Sequence, residues 1–465
     1  MVVGSFVVLT GCSINSAPSA TSSEGSFSLQ GRVMGGQQPV SGASFQLYAV
    51  GNTGDGSAAY PLIPTGSMTV GSSNNYYPNG SSGCTFTTGN PNSCSALPQT
   101  NSSGVFNITG DWGTCTSNQA PAAGTNPYLY IVATGGNPGG GNNANFSEMA
   151  ALGLCNTLTS STFIVIDEVT TVGSIAALYP YMSSYSATGS AIGDAAKLAL
   201  AFTAATTEYM STATGASPGS GLPTGYYASS TEINSLADSI SSCINSTGGV
   251  AGDNSSCGTL FSLATPSGGT APTETVGAAL LIAQNPANNA GPIFGRMPAQ
   301  SPFAPVLTSA PADWTMSIHY TSVGLNLPKS TTVDANGNVW FANSGNNTVA
   351  VLAQTGVPIS GSPFSGNGLN APAAIAMDAS GNAWVANMGA LSLSAFTSTG
   401  GVYGSSPYTP AGLSAPDALA FDASGDLWVA NSGNSSVSEL SNSGASLQQI
   451  SSGVSAPGAI AIDPK

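Results

Sequence analysis

Charge is what this sequence has least of. Only 5% of its 465 residues are Asp, Glu, Lys or Arg, against 41% hydrophobic, where an ordinary globular domain carries about a quarter charged. The five basic residues, Arg32, Lys197, Arg296, Lys329 and Lys465, are scattered, and the formal net charge is −15. No basic stripe exists to neutralise phosphates, which excludes nucleic acid as a partner. There is one histidine, His319, so zinc chemistry is poorly supplied and any Ser-His-Asp or Cys-His relay must be built around a single position. No segment reaches the ~18 to 20 continuous apolar residues of a membrane span. The chain holds 59 Gly and 30 Pro, but disordered chains combine low hydrophobicity with runs of charge, and neither is found here. The sequence reads as two to four folded domains solubilised by amides and hydroxyls.

Cysteine is sparse but informative, because its count of seven is odd. One has a separate explanation: after the apolar stretch Val2 to Leu9, the run Leu9-Thr10-Gly11-Cys12 resembles the bacterial lipobox. That resemblance implies a signal peptide over 1–11, diacylation of Cys12, and a Ser/Ala/Thr-rich tether over 12–27. It departs from the pattern in having no Lys or Arg ahead of the apolar stretch, which predicts a start codon placed too late. Membrane association would then be through lipid alone, and Ser13 after the cysteine implies the outer membrane or cell surface. In an exported chain the remaining Cys84, Cys94, Cys115, Cys155, Cys243 and Cys257 predict three disulfides of open connectivity. Pairing Cys84 with Cys94, Cys115 with Cys155 and Cys243 with Cys257 is favoured, because the first and last close short local loops. No Cys-x-x-Cys spacing offers a metal site.

Period-two alternation bounded by Gly and Pro predicts strands around Leu29 to Val33, Val40 to Leu47, Gly104 to Ile108 and Tyr128 to Val132. The residues Gly31-x-Val33, Pro39-Val40-x-Gly42-Ala43, Thr100-x-x-x-Gly104-x-Phe106 and the Tyr128 strand resemble the carboxypeptidase regulatory-like (transthyretin-like) sandwich. This places a β-sandwich at 28–135, with a Gly/Ser/Asn-rich insertion that holds Cys84 and Cys94. After a short strand, Phe163 to Ile166, the period turns helical. Asp167-Glu168 open a first helix that Pro180 stops, and acidic residues suit a first turn. A second spans about Ala191 to Met210, Ser229-x-x-Glu232 reads as a capping box opening a third, and Thr275 to Ala283 is a fourth. The expectation is a small α-helical, disulfide-clipped domain over 136–315.

From Leu325 the chain repeats itself. Asp334-Ala-Asn-Gly-Asn-Val-Trp340-Phe-Ala-Asn343, Asp378-Ala-Ser-Gly-Asn-Ala-Trp384-Val-Ala-Asn387 and Asp422-Ala-Ser-Gly-Asp-Leu-Trp428-Val-Ala-Asn431 each follow a Leu-x-x-Pro, and a fourth copy opens at Ala456-Pro457 and reaches Asp463. The aspartates are 44, 44 and then 41 residues apart, the blade length of about 40 to 45 residues seen in β-propellers. Each Asp is read as capping its own Asp-x-x-Gly turn, and each Trp as filling the wedge between blades. The copies resemble NHL repeats, with their Pro-x-x-Ile-Ala-x-Asp, Gly-Asn and Val-Ala-Asp/Asn elements. The fold class is thus multidomain and mainly β: sandwich, small helical domain, and an incomplete NHL-type propeller over 316–465 with three blades and the start of a fourth. Closure needs about four to eight blades, which predicts that the reading frame runs on past Lys465 with Gly-Asn and Trp next.

No catalytic residue, metal or cofactor is assigned. Asp334-x-Asn336-x-Asn338 has alternating oxygen ligands, but Val339 and Gly345 stand where a calcium loop needs Gly and Glu. Asn343, Asn387 and Asn431 recur in every blade, as a structural role predicts. Asp167-Glu168 is explained by helix capping. The expected function is a non-enzymatic extracytoplasmic lipoprotein whose propeller binds a protein or glycan. The alternative is a propeller lyase of the streptogramin lyase type, or a lactonase-like hydrolase, with its catalytic residues in blades beyond these.

Overall fold

The structure is a computed structural model that describes residues 27–63, 76–78, 97–110, 126–159, 161–188, 195–222, 224–321 and 323–463. Cys12 with its leader and tether, Cys84, Cys94, Cys115 and most of the insertion lie outside the described residues. The chain divides into two compact units, Met1–His319 and Tyr320–Lys465.

In the first unit, β1 (Phe27–Gly35) pairs antiparallel with β3 (Val105–Gly110), while β2 (Ser44–Ala49), β4 (Tyr128–Thr134) and β5 (Ser147–Leu154) form a second antiparallel sheet. The alternating apolar residues meet across one core. Leu29, Val33, Leu47 and Ile131 are fully buried, and the Phe45 and Phe106 rings join the sheets at 4.9 Å between centroids. A parallel strand, β6 (Phe163–Ile166), lies against β1 with Gly31 opposite Ile164. Gly31 has no room for a side chain, since a Cβ there would sit 2.2 Å from the Ile164 carbonyl oxygen.

The expected boundary at 135/136 is corrected by this pairing. It falls in the connection between β4 and β5, which are neighbours in one sheet, and β6 belongs to the other sheet. Sandwich and helices also share one continuous hydrophobic cluster, from Leu29 to Trp314. The reason is visible at the edge strand β5, whose free N–H groups need acceptors. Helix α1 (Glu168–Leu178) supplies them: Met149 N donates to Thr171 Oγ1 at 3.0 Å and Ala151 N to Ser174 Oγ at 2.9 Å. Hydroxyls buried on a helix thus close a sheet.

The other α-helices among the described residues are α2 (Ala195–Thr203), α3 (Ser230–Ile244), α4 (Ser256–Ala264), α5 (Thr275–Gln284) and the short α6 (Ala290–Phe294). Helix α4 was not expected, since its few apolar residues are set among Ser, Gly and Thr. It is capped by Ser255, whose Oγ accepts from Gly258 N at 2.9 Å, and pinned to the end of α3 by the Cys243–Cys257 disulfide, Cα atoms 4.3 Å apart. Cys155 is also disulfide-bonded. The Ser229–Glu232 capping box does not form, because Ser229 spends its hydroxyl on Ser317 O at 3.1 Å. The box forms instead on α1, where Thr170 N donates to Asp167 Oδ1 at 2.7 Å and Asp167 N to Thr170 Oγ1 at 2.9 Å.

The second unit holds three antiparallel meanders in one register: Pro328–Val333, Val339–Asn343, Thr348–Leu352 and the short Phe364–Ser365; Pro372–Met377, Ala383–Asn387 and Ser392–Phe396; Pro416–Phe421, Leu427–Asn431, Ser436–Leu440 and Ser446–Ile450. The central strand of each carries the tryptophan, opposite Thr332, Ala376 and Ala420 respectively. Consecutive meanders pack as propeller-like blades: Trp340 clusters with Ile375 and Val385, and Trp384 with Leu427 and Val429. Trp340 and Trp384 are fully buried, whereas Trp428 is half-buried.

Candidate functional site

Each recurring aspartate does more than cap its turn. Asp334 Oδ1 accepts from Asn336 N and Asn338 N at 2.8 and 2.9 Å, while Oδ2 accepts from Asn338 Nδ2 at 2.9 Å and from the indole Nε1 of Trp340 at 3.1 Å. Asp378 holds Trp384 at 3.2 Å and Asp422 holds Trp428 at 2.9 Å in the same way. The Asp–Trp bond, six residues long in sequence, was not anticipated, and the constant Asp-to-Trp offset was the signal for it. The Asp334 carboxylate thus spends its acceptor positions on its own turn and on the indole. Partial desolvation of Asp334 is outweighed by its hydrogen bonds from Trp340 and Asn338, which hold its carboxyl below the usual range, and the Trp428 bond does so first for Asp422.

The recurring asparagines are structural too. Asn343, Asn387 and Asn431 are fully buried, and their Oδ1 atoms accept from Asn326 N, Asn370 N and Ser414 N at 3.1 to 3.2 Å. They clamp the entry of each blade to its central strand. Blade three differs at two positions: Asp426 on the turn and Glu439 on the strand Ser436–Leu440 replace the amide and apolar side chains of the earlier copies, and with Asp422 their carboxyl oxygens lie within 4.8 Å of one another on a half-exposed face.

What the scaffold leaves free is a groove of about 650 Å³ between the second and third blades. Its aromatic wall is Tyr403, Tyr408 and Phe421, and its polar wall comes from Ser380, Ser424 and Asn442 on the turns together with the turn carboxylates of Asp378 and Asp422. Tyr408 stacks on Trp384 at 4.9 Å, with Tyr403 and Phe421 edge-on to the same indole at 6.2 Å. Two glycines bring the backbone against this ring: a Cβ on Gly404 would meet the Tyr408 hydroxyl at 2.1 Å, and one on Gly444 would meet the ring at 2.6 Å, both at positive φ. One register earlier, Ile359, Phe364 and Met377 stand where Tyr403, Tyr408 and Phe421 do. Only the later groove therefore carries phenols.

In the first unit, Asp167 and Glu168 sit at the helix start as expected, but they are not a solvated pair. Both are buried, together with Glu148 on β5 and Asp238 on α3. Burial pushes Asp167 up to about 7 and, with the Asp167 charge, Glu168 up to about 8; it raises Asp238 to about 6 and Glu148 well above the carboxylate range, where Glu168 adds repulsion. Neither Glu148 carboxyl oxygen has a hydrogen-bond donor among the described residues. Asp167 lines a cleft of about 560 Å³ with Arg32, Asn234 and Phe303. His319 is exposed, its ring stacked on Tyr227 at 4.6 Å and its Nε2 3.0 Å from Ser317 Oγ.

No family model matches this chain, and no curated protein does. Several solved structures resemble part of it. A catalytically inactive virginiamycin B lyase from Staphylococcus aureus with quinupristin is 19% identical at a TM-score of 0.27, over 31% of this chain and 47% of that one. A streptogramin B lyase is 20% identical at 0.26, over 30% and 45%. A protein of unknown function from Bacteroides caccae is 16% identical at 0.24, over 30% and 50%. The chain spans about half the length of the structures it matches.

Proposed function

We propose that this chain is a non-enzymatic binding protein, NHL-like in its repeats, held outside the cytoplasm by a lipid on Cys12, and that the groove between its second and third blades takes a glycan. One observation carries the reading. The recurring indoles and amides of the blades are satisfied within the scaffold, so the groove presents phenol rings, hydroxyl and amide groups, and the carboxylates of Asp378 and Asp422, which already accept from their own turns and indoles. Aromatic faces beside hydroxyl and amide groups and carboxylate acceptors suit a neutral sugar ring, whose C–H face stacks while its hydroxyls hydrogen-bond. With five basic residues in the chain, a strongly anionic glycan finds no counter-charge.

Titration calorimetry of the full chain against neutral oligosaccharides tests the site. Tyr408→Ala is expected to weaken binding by roughly tenfold or more, as for a stacked anchor, with Phe364→Ala at the equivalent earlier position leaving it unchanged. Equal losses from both, or release of a modified sugar, would sink the reading. The anchor has its own test: palmitate labelling and membrane fractionation, in which Cys12→Ala is expected to lose the label and move to the soluble fraction.

A further inference from the structure

One basic side chain of the first unit has no acid to answer it. Arg32 is exposed on β1, and no carboxylate pairs with it among the described residues. Its guanidinium lies over the Phe163 ring, 5.5 Å from the centroid. The parallel pairing of β1 with β6, Arg32 opposite Val165, explains this, because it brings Arg32, Phe163 and Val165 to one face of the sheet. A stacked guanidinium spends a flat face on the ring and keeps its N–H edge free.

Arg32 and Phe163 both line the cleft of about 560 Å³ that Asp167 shares, with Met34, Val165 and Phe303 as further apolar wall. The other polar side chains there are engaged within the unit. Gln37 Nε2 donates to Pro302 O, Ser217 Oγ to Tyr209 O at 2.6 Å and Asn234 Nδ2 to Pro305 O at 2.9 Å. The donors that meet the Asp167 carboxyl, from Val169 and Thr170, belong to the first turn of α1. Burial pushes Asp167 up to about 7, so below that it opposes an anion little. Thr214, exposed on the same cleft, adds a hydroxyl with no hydrogen-bond partner among the described residues.

We propose that this cleft binds a small organic monocarboxylate, its carboxylate on the Arg32 fork and its apolar body against Phe163, Val165 and Phe303. One guanidinium matches one carboxylate through two parallel N–H···O bonds. A dianion would carry a second charge with no counterpart, in a chain whose net charge is −15. The volume is in the range of small-molecule sites. The site belongs to the first unit and stands apart from the groove in the repeats.

The test uses benzoate and benzamide, which share a ring and differ in charge, with phenyl phosphate as the rival anion. The full chain is titrated near pH 6, above the ordinary carboxylate range of about 4 and below the value of about 7 for Asp167. Calorimetry gives affinity, and NMR of backbone amides locates binding. Benzoate is expected to bind roughly tenfold tighter than benzamide and to move the amides of 163–165 and 213–217. Arg32→Gln, a change at an exposed position, is expected to bring benzoate down to the benzamide level and leave benzamide binding as it was. Equal affinity for benzoate and benzamide in the unsubstituted chain, no benzoate binding, undiminished benzoate binding in Arg32→Gln, or tighter binding of phenyl phosphate than of benzoate would each overturn the proposal.

Discussion

Raising the pH from about 4 to about 9 is expected to destabilise the first unit progressively, while the repeat array weakens only as the pH falls below about 4. The opposite signs follow from opposite environments. In the unfolded chain carboxyls ionise near 4. In the folded first unit, burial keeps Asp167 protonated up to about 7 and Glu168 up to about 8, with Asp238 and Glu148 raised as well. Between those limits the folded state binds more protons than the unfolded one, so its stability is complete below the unfolded value and is lost as the pH climbs through the folded ones. Asp167 alone, moved from 3.8 to about 7, accounts for roughly 4 kcal/mol; the four titrate as a coupled set, so their contributions do not simply add. Asp334 and Asp422 are lowered by their hydrogen bonds, so their contribution is present above the unfolded value and lost as acid protonates them. Urea unfolding read by hydrogen exchange, comparing amides of α1 with those of Ala383–Asn387 across the pH range, separates the two trends. A first unit whose midpoint rose with pH would contradict the buried-acid account.

The second large effect concerns the wedge between blades. Trp384→Ala is expected to cost about 3 to 5 kcal/mol, the usual result of emptying a buried aromatic site, because Trp384 is fully buried against Leu427 and Val429 and carries the stack of Tyr403, Tyr408 and Phe421. Trp428→Ala, which removes the same side chain with the same Asp bond from a half-buried site, is expected to cost clearly less. Unfolding midpoints of the two variants decide this, and equal losses would show that the Asp–Trp bond, rather than burial between blades, dominates.

These contrasts show what was legible in the sequence. The repeats could be read because their determinants are local: Asp, Gly, Trp and Asn act within ten residues of one another, and each does the same thing in every copy. The sandwich strands were legible from alternation. The buried acids were not, since Glu148, Asp167, Glu168 and Asp238 come from a strand and two helices far apart in sequence, and Glu148 lies in a strand buried on both faces. The boundary at 135/136 failed for a related reason. A change from strand to helix periodicity marks a change of element, and here the helix that follows exists to cover the edge of the sheet before it. The tyrosine groove was hidden because its residues sit at the variable positions of an otherwise repeating unit.

The six-residue bond between Asp and Trp has one more consequence. Because each blade settles its turn carboxylate, its indole and its buried amide within its own span, a tandem copy of the coding segment yields a sheet that takes from its neighbour chiefly an apolar face, with a few hydrogen bonds such as Ala371 N to Asn347 Oδ1 and Ile375 N to Ser330 Oγ crossing between repeats. Such a unit can be duplicated and then diverge at its open loops, as Ile359 and Tyr403 already have, so that lengthening the array and changing what it recognises are separate evolutionary events.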